Sequence, residues 1–238
     1  MMAVQRAAWW SRAEAAWRKG RAGPGLVADR LALAGVLGAT LLAAAAILLA
    51  SPSQPELQFL EGGAVTVMTS LLLSVCAAYA LAGFHIRMRD RDLPALFWLL
   101  ASAAFAFLAV DEHLEIHERV ADFVSDAYGE SSVFRNWNDL IVIAYGLAGL
   151  GCALVFCNEV VRWTRMLEFL AIGFLFFVLH TAIDSLVVDA TPFSIICEES
   201  AKLFAVTFLA AGFGAGLLSV FEDALANRAG VPNHGAHS

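Results

Sequence analysis

Charged residues are scarce in this chain: Asp, Glu, Lys and Arg make up 16% of its 238 residues, against about 25% in an ordinary soluble domain. A hydrophobic share of 60% excludes an intrinsically disordered chain, which is far more polar. Basic residues are also few, 15 against 22 acidic ones, and this balance argues against a nucleic-acid-binding protein. The four cysteines imply no disulfide framework, since none of them forms a CxxC pair, and we expect them to pack as small apolar residues.

Long apolar runs fill the chain instead. A bilayer core needs about 20 apolar residues in one helix. Six runs approach that length, at 31–50, 62–84, 93–110, 140–157, 169–188 and 203–221. They lack the alternation of polar and apolar residues that a transmembrane β-barrel requires. The sequence therefore predicts an all-α fold, a polytopic bundle of about six transmembrane helices in contact with the lipid bilayer.

The few basic residues lie mostly on one side of this predicted bundle. That side carries 12 of the 15, in the N-terminal segment, two loops and the C-terminal tail. The positive-inside rule then places both termini in the cytoplasm, and we expect a multi-pass protein of the bacterial inner membrane. The predicted parts are a cytoplasmic amphipathic segment (1–29), a transmembrane domain (30–222) with a periplasmic extension (111–136), and a disordered cytoplasmic tail (223–238).

Acidic residues show the opposite bias, with 14 of the 22 on the predicted periplasmic side. Mutual repulsion of so many carboxylates costs free energy unless cations offset it. A metal ion, a basic protein partner or dissolved salt would each serve, and the composition does not choose between them.

The densest polar segment is DEHLEIHE at residues 111–118. Helix formers dominate it, so we expect the third helix to continue for two or three turns beyond the membrane. One face of that helix would carry three carboxylates and the opposite face two imidazoles, each set able to bind a metal. The carboxylates are Asp111, Glu115 and Glu118, and the imidazoles are His113 and His117. The spacing misses the HExxH zinc motif by one position.

Two later runs bring polar residues to the same level. His180 and Asp184 interrupt the fifth run at i,i+4 spacing, and such groups usually face the bundle interior. They are either a hydrogen-bonded clamp between helices or a metal-binding or catalytic pair. Glu198 and Glu199 open the sixth helix, where they favour the helix dipole, and Lys202 has the spacing for an ion pair with Glu198.

Residues 107–118, FLAVDEHLEIHE, resemble an FLxxDExxxxHE signature of uncharacterised bacterial multi-pass membrane proteins. Those proteins also tend to carry a Glu-Glu pair opening a later helix, as at 198–199. The resemblance covers the second half of the chain and brings no activity with it. It implies that the signature positions matter more than His113 and Glu115. Those positions are Asp111, Glu112, His117 and Glu118.

The fourth predicted helix begins near Asp139, which, like Asn138, could cap its start. Four helices thus present carboxylates or imidazoles at one level, which is how helix bundles build metal sites. We expect a divalent transition metal there, Zn or Fe first, in a metal-dependent hydrolase acting on a lipid or its headgroup. The expected ligands are Asp111, His113, Glu115, His117, Glu118, His180, Asp184 and Glu198, with Glu112 and Glu199 as catalytic bases. The alternative is a non-enzymatic accessory or assembly subunit that docks a membrane-protein partner through its acidic face. The oligomeric state stays open.

Overall fold

A computed structural model describes residues 25–49, 54–60, 62–88, 94–129, 137–187 and 191–228. These ranges hold no strand. Their helices are α1 (Gly25–Leu49), a 3-10 helix (Pro55–Gln58), α2 (Ala64–Arg87), α3 (Pro94–Leu114), α4 (Ile116–Tyr128), α5 (Trp137–Val155), α6 (Cys157–Arg162), α7 (Thr164–Leu186) and α8 (Pro192–Arg228). Six of them (α1, α2, α3, α5, α7 and α8) are long and apolar enough to cross a membrane. The predicted all-α, six-span membrane fold is confirmed.

The predicted N-terminal segment lies outside the described residues up to residue 24, and α1 already begins at Gly25. The predicted tail lies outside them after residue 228, because α8 continues to Arg228. Residues 130–136 of the predicted periplasmic extension also lie outside the described part.

The start of α8 follows from a local capping motif. The Thr191 hydroxyl accepts a hydrogen bond from the Ser194 amide (3.1 Å), and the Ser194 hydroxyl accepts one from the Thr191 amide (2.8 Å). Pro192 stands at the first helical position, where its missing amide proton costs nothing. The helix therefore starts well before residue 203, so Glu198 and Glu199 lie in its second turn. Their expected place in the first turn was wrong.

Helix α8 is the centre of the bundle and packs against α1, α2 and α7. Close approach depends on small residues. A Cβ atom at Gly83 would lie 2.4 Å from the Trp98 ring, and one at Gly216 would lie 2.8 Å from the same ring. The fully buried Trp98 of α3 therefore fits between glycines of α2 and α8, as in other packed membrane helices.

The outward faces of the spans are apolar. Large side chains such as Leu41, Leu147 and Leu175 are exposed rather than buried in the bundle. An aqueous protein rarely exposes so much contiguous apolar surface. These faces fit contact with lipid chains.

The two ends of the bundle differ in charge. Arg87 and Arg162 are the last residues of α2 and α6, and Arg165 is the second residue of α7; we call this the basic end. The other end carries Glu112, near the end of α3, and the acidic residues of the second turn of α8; we call it the acidic end. The cytoplasmic orientation of the basic end stays a prediction from the positive-inside rule.

Candidate functional site

The chain turns a corner at Glu115 of the acidic end. Helix α3 ends at Leu114 and α4 begins at Ile116, with Glu115 between them in the left-handed conformation at a φ of 55°. The continuous helix expected from the sequence was wrong. A non-glycine residue at positive φ is strained, so other contacts must hold this backbone in place.

Asp111 supplies those contacts. Its Oδ1 atom accepts a hydrogen bond from the backbone amide of His117, and its Oδ2 atom accepts one from the ring Nδ1 of His117, both at 2.9 Å. The first bond satisfies one of the free amides at the start of α4. The second fixes the proton on Nδ1, so the Nε2 atom of a neutral His117 keeps its lone pair.

The corner separates residues that a straight helix would align. His113 is exposed and lines an open groove of about 480 Å³ between α2 and α3, beside Ser70 and Ser74. Its expected pairing with His117 on one helix face is therefore wrong. The expected single carboxylate face is wrong for the same reason: Asp111 belongs to α3, Glu115 to the corner and Glu118 to the first turn of α4.

Lys202 bridges two acidic residues at the acidic end. Its Nζ atom lies 2.8 Å from Glu112 Oε1 of α3 and 2.8 Å from Glu199 Oε1 of its own helix. The pairing of Lys202 with Glu198 expected from i,i+4 spacing is replaced by this bridge between two helices. Glu199 Oε2 is buried and has no hydrogen-bond partner among the described residues.

His180 lies beside this bridge and is only 7% exposed. Its Nδ1 atom has no hydrogen-bond partner among the described residues, and Glu198 Oε1 lies 3.9 Å away, beyond hydrogen-bonding distance. His180 is near enough to His117 and Lys202 to interact with them electrostatically. Asp184 is half-buried and interacts in the same way with Glu199. The polar groups of α3, α4, α7 and α8 therefore form one neighbourhood.

The predicted site residues fall into several small groups in this neighbourhood. The groups are Asp111–His117, Glu112–Lys202–Glu199 and His180–Glu198, with Asp184 nearby and His113, Glu115 and Glu118 outside these pairs. Across the described ranges, no three His, Cys, Asp or Glu side chains are arranged to hold a metal ion. The side chains of the ten predicted residues do not form a single preformed metal centre.

Sequence reasoning missed a second buried group, at the basic end. Glu159 of α6 is 4% exposed. One carboxylate oxygen lies 3.0 Å from Trp98 Nε1, 3.1 Å from Trp163 Nε1 and 3.1 Å from Arg87 Nε; the other accepts a bond from an Arg87 amino group at 3.1 Å. The sequence signal for this group is the i,i+4 spacing of Glu159 and Trp163. A carboxylate exposed in a loop would need no tryptophan one helical turn away.

Asp139 was expected to cap the start of a helix. In the structure it is the third residue of α5 and only 1% exposed. Burial this complete is rare for a carboxylate and marks a position with specific partners.

These features define an integral α-helical membrane protein with a cluster of ionisable side chains buried at the acidic end of its bundle. The chain belongs to the family described as "Domain of unknown function (DUF8692)", which matches residues 3–214. No curated protein and no solved structure matches it.

Proposed function

We propose that this protein is a metal-dependent hydrolase of the membrane that acts on a lipid or its headgroup at the acidic end of the bundle. The observation that carries the proposal is the buried Nδ1 atom of His180, which has no hydrogen-bond partner among the described residues and lies 3.9 Å from Glu198 Oε1. A buried ring nitrogen without a partner costs free energy, and a cation would satisfy Nδ1 in the tautomer that leaves it unprotonated.

The residues nearby suit a transition metal. His180, Glu198 and the Nε2 atom of His117 would supply two imidazoles and one carboxylate, a ligand set typical of zinc hydrolases and non-haem iron sites. Asp111 holds the other ring nitrogen of His117, as a carboxylate behind a metal-ligating histidine does. The three ligands close around an ion only when a side chain rotates.

The metal would supply an acidic bound water, which is the usual source of a nucleophile at neutral pH in such enzymes. Glu199 is the base that this chain offers: Lys202 holds its Oε1 atom, and its buried Oε2 atom has no hydrogen-bond partner within the described ranges. Oε2 would take a proton from water as the oxygen adds to an ester carbonyl. The same proton would then pass to the leaving alcohol as the ester C–O bond breaks.

Elemental analysis of the untagged protein purified in detergent tests this proposal. We expect about one equivalent of Zn or Fe in the wild type and its loss in His180→Leu and Glu198→Gln. The matched control is His113→Leu, which removes an exposed imidazole outside the cluster and should keep the metal. Release of water-soluble headgroup or fatty acid from defined phospholipid vesicles then tests the hydrolase. A folded, monodisperse wild type without metal would contradict the proposal.

A second candidate is an accessory or assembly subunit of a membrane complex, and α5 favours it. In this fully described span only Asp139 is buried and several residues are exposed, which leaves a surface that another membrane protein could contact. This candidate predicts a metal-free protein. Neutralising single acidic residues at the acidic end should then weaken binding to a basic partner in graded steps.

A further inference from the structure

Helix α4 lies across the acidic end of the bundle instead of projecting from it. Consecutive membrane spans run in opposite directions, so α3 and α5 are antiparallel. The rings of Phe107 in α3 and Tyr145 in α5 are 5.7 Å apart, which places these two residues at one level. Eight residues further toward the acidic end, at about 1.5 Å per residue, stand Glu115 in one chain direction and Trp137 in the other.

The far end of α4 is tied to the same level. Trp137 Nε1 donates a hydrogen bond to the carbonyl oxygen of Gly129, the residue that ends α4, at 2.9 Å. Both ends of α4 therefore lie near the level where α3 ends, within the reach of one tryptophan side chain. A helix of 13 residues is about 20 Å long, so α4 must run roughly parallel to the membrane plane.

The faces of α4 differ sharply. Val120, Phe123 and Ala127 lie within about 60° on one side of the helix. Val120 and Phe123 are 45% and 72% exposed, so the bundle does not cover them. The acidic residues fall within about 80° of one another, centred about 130° from the apolar side. They are Glu118, Asp122 and Asp126.

The membrane surface is the occupant that this geometry fits. Helix α4 follows α3 after one residue, so it starts where a membrane span ends and is continuous with the lipid-contacting surface. A helix with one apolar and one charged face at this depth buries its apolar face at the boundary between headgroups and acyl chains. Its three carboxylates against one basic residue, Arg119, give no attraction to anionic lipid. We therefore expect the apolar face of α4 to contact zwitterionic phospholipid.

We propose that α4 is an interfacial helix whose Val120 and Phe123 side chains insert between neighbouring phospholipids at the acidic end. The corner at Glu115, held by Asp111, turns the chain from the span into this surface. The inference is independent of the proposed catalytic function, because it rests on the apolar face of α4 and needs no metal.

Photocrosslinking of the full chain in phosphatidylcholine vesicles tests the proposal. The photoreactive amino acid p-benzoylphenylalanine is placed at Phe123 and, as the matched control, at Asp122, which is also exposed. We expect a lipid adduct by intact-protein mass spectrometry at position 123, several-fold stronger than at 122. A second apolar position, Val120, repeats the comparison against Asp122, since both are exposed and lie on different faces. Unchanged gel-filtration profiles show that each labelled protein is folded.

Three results would overturn the proposal. They are equal lipid adducts at positions 122 and 123, no adduct at either, or an adduct between two protein chains at 123, which would make this face a protein interface. Vesicles with added phosphatidylglycerol test the charge argument. We expect no gain in lipid adduct there, and a strong gain would show that anionic lipid binds the helix.

Discussion

Glu159 and His180 are both buried ionisable residues, at opposite ends of one bundle, and they differ in how completely their atoms are bonded. Both oxygens of Glu159 are bonded, by one arginine and two tryptophans. His180 Nδ1 has no hydrogen-bond partner in the described part of the chain. A satisfied charge stabilises a fold, whereas an unsatisfied polar atom costs stability and is kept where it has another use. The contrast is consistent with a structural role for the basic end and with the proposed function at the acidic end.

Breaking the satisfied cluster should have the largest effect. Glu159→Leu leaves the Arg87 guanidinium buried without its carboxylate, and removing one partner of such a pair costs about 3–5 kcal/mol. We expect unfolding in mixed detergent micelles at a much lower denaturant fraction, or failure to accumulate as folded protein. The control Glu168→Leu removes a half-buried carboxylate paired with Arg165 and should cost less than about 1 kcal/mol. Equal losses in both variants would contradict a structural role for Glu159.

Removing the cation from the acidic cluster should come next. Lys202→Met leaves Glu112 and Glu199 facing each other without their shared ammonium group. The side chain of Lys202 is 22% exposed, so we expect a smaller cost of about 2–3 kcal/mol in the same unfolding measurement. Adding Glu112→Gln and Glu199→Gln should recover most of that loss. If the triple variant is no more stable than the single one, the bridge is not what the lysine contributes.

A methyl group at Gly83 should disturb the basic end indirectly. The added Cβ would meet the Trp98 ring at 2.4 Å and push the indole from its bond to Glu159. We expect Gly83→Ala to cost about 1–3 kcal/mol. Gly149→Ala is the control, because nothing lies within 4 Å of its added Cβ, and alanine there should stabilise the helix by up to about 1 kcal/mol. A neutral Gly83→Ala variant would show that Trp98 has room to move.

The smallest stability effect should come from His180. An apolar side chain of similar size removes an unsatisfied atom rather than a bond, so His180→Leu should stay within about 1 kcal/mol of the wild type. Unfolding in mixed micelles measures this directly. A loss as large as that of Glu159→Leu would mean that His180 has a structural partner, and the contrast between the two ends would fail.

The membrane spans could be predicted from the chain because they depend only on local composition. Twenty apolar residues cross a bilayer wherever they occur in a sequence. The corner at Glu115 could not be read in this way. Glutamate favours a helix, and its positive φ persists because Asp111 binds both the amide and the ring of His117. Two side-chain bonds outweigh a propensity of a few tenths of a kcal/mol per residue.

The sequence did not determine which polar side chains pair at the acidic end. Spacing along a helix suggested Glu198 for Lys202, and the folded chain brings Glu112 from another helix to the same ammonium group. The contacts of Glu159 could not be predicted because its partners Arg87 and Trp98 are more than 60 residues away in sequence. Pairings of this kind depend on which helices are neighbours.

The sequence by itself determined that this is a six-span helical membrane protein with carboxylates and imidazoles gathered at one end. Hydropathy and charge depend only on which residues a segment contains, and these two properties decide whether a segment crosses a bilayer and in which direction. Only the tertiary structure decided which of those groups meet: Lys202 with Glu112 and Glu199, and Asp111 with His117. In the part of the chain that the structure describes, His180 Nδ1 has no hydrogen-bond partner. Hydrogen bonds and ion pairs act over about 3 Å. The rotation of each helix and the corner at Glu115 therefore decide which side chains can pair.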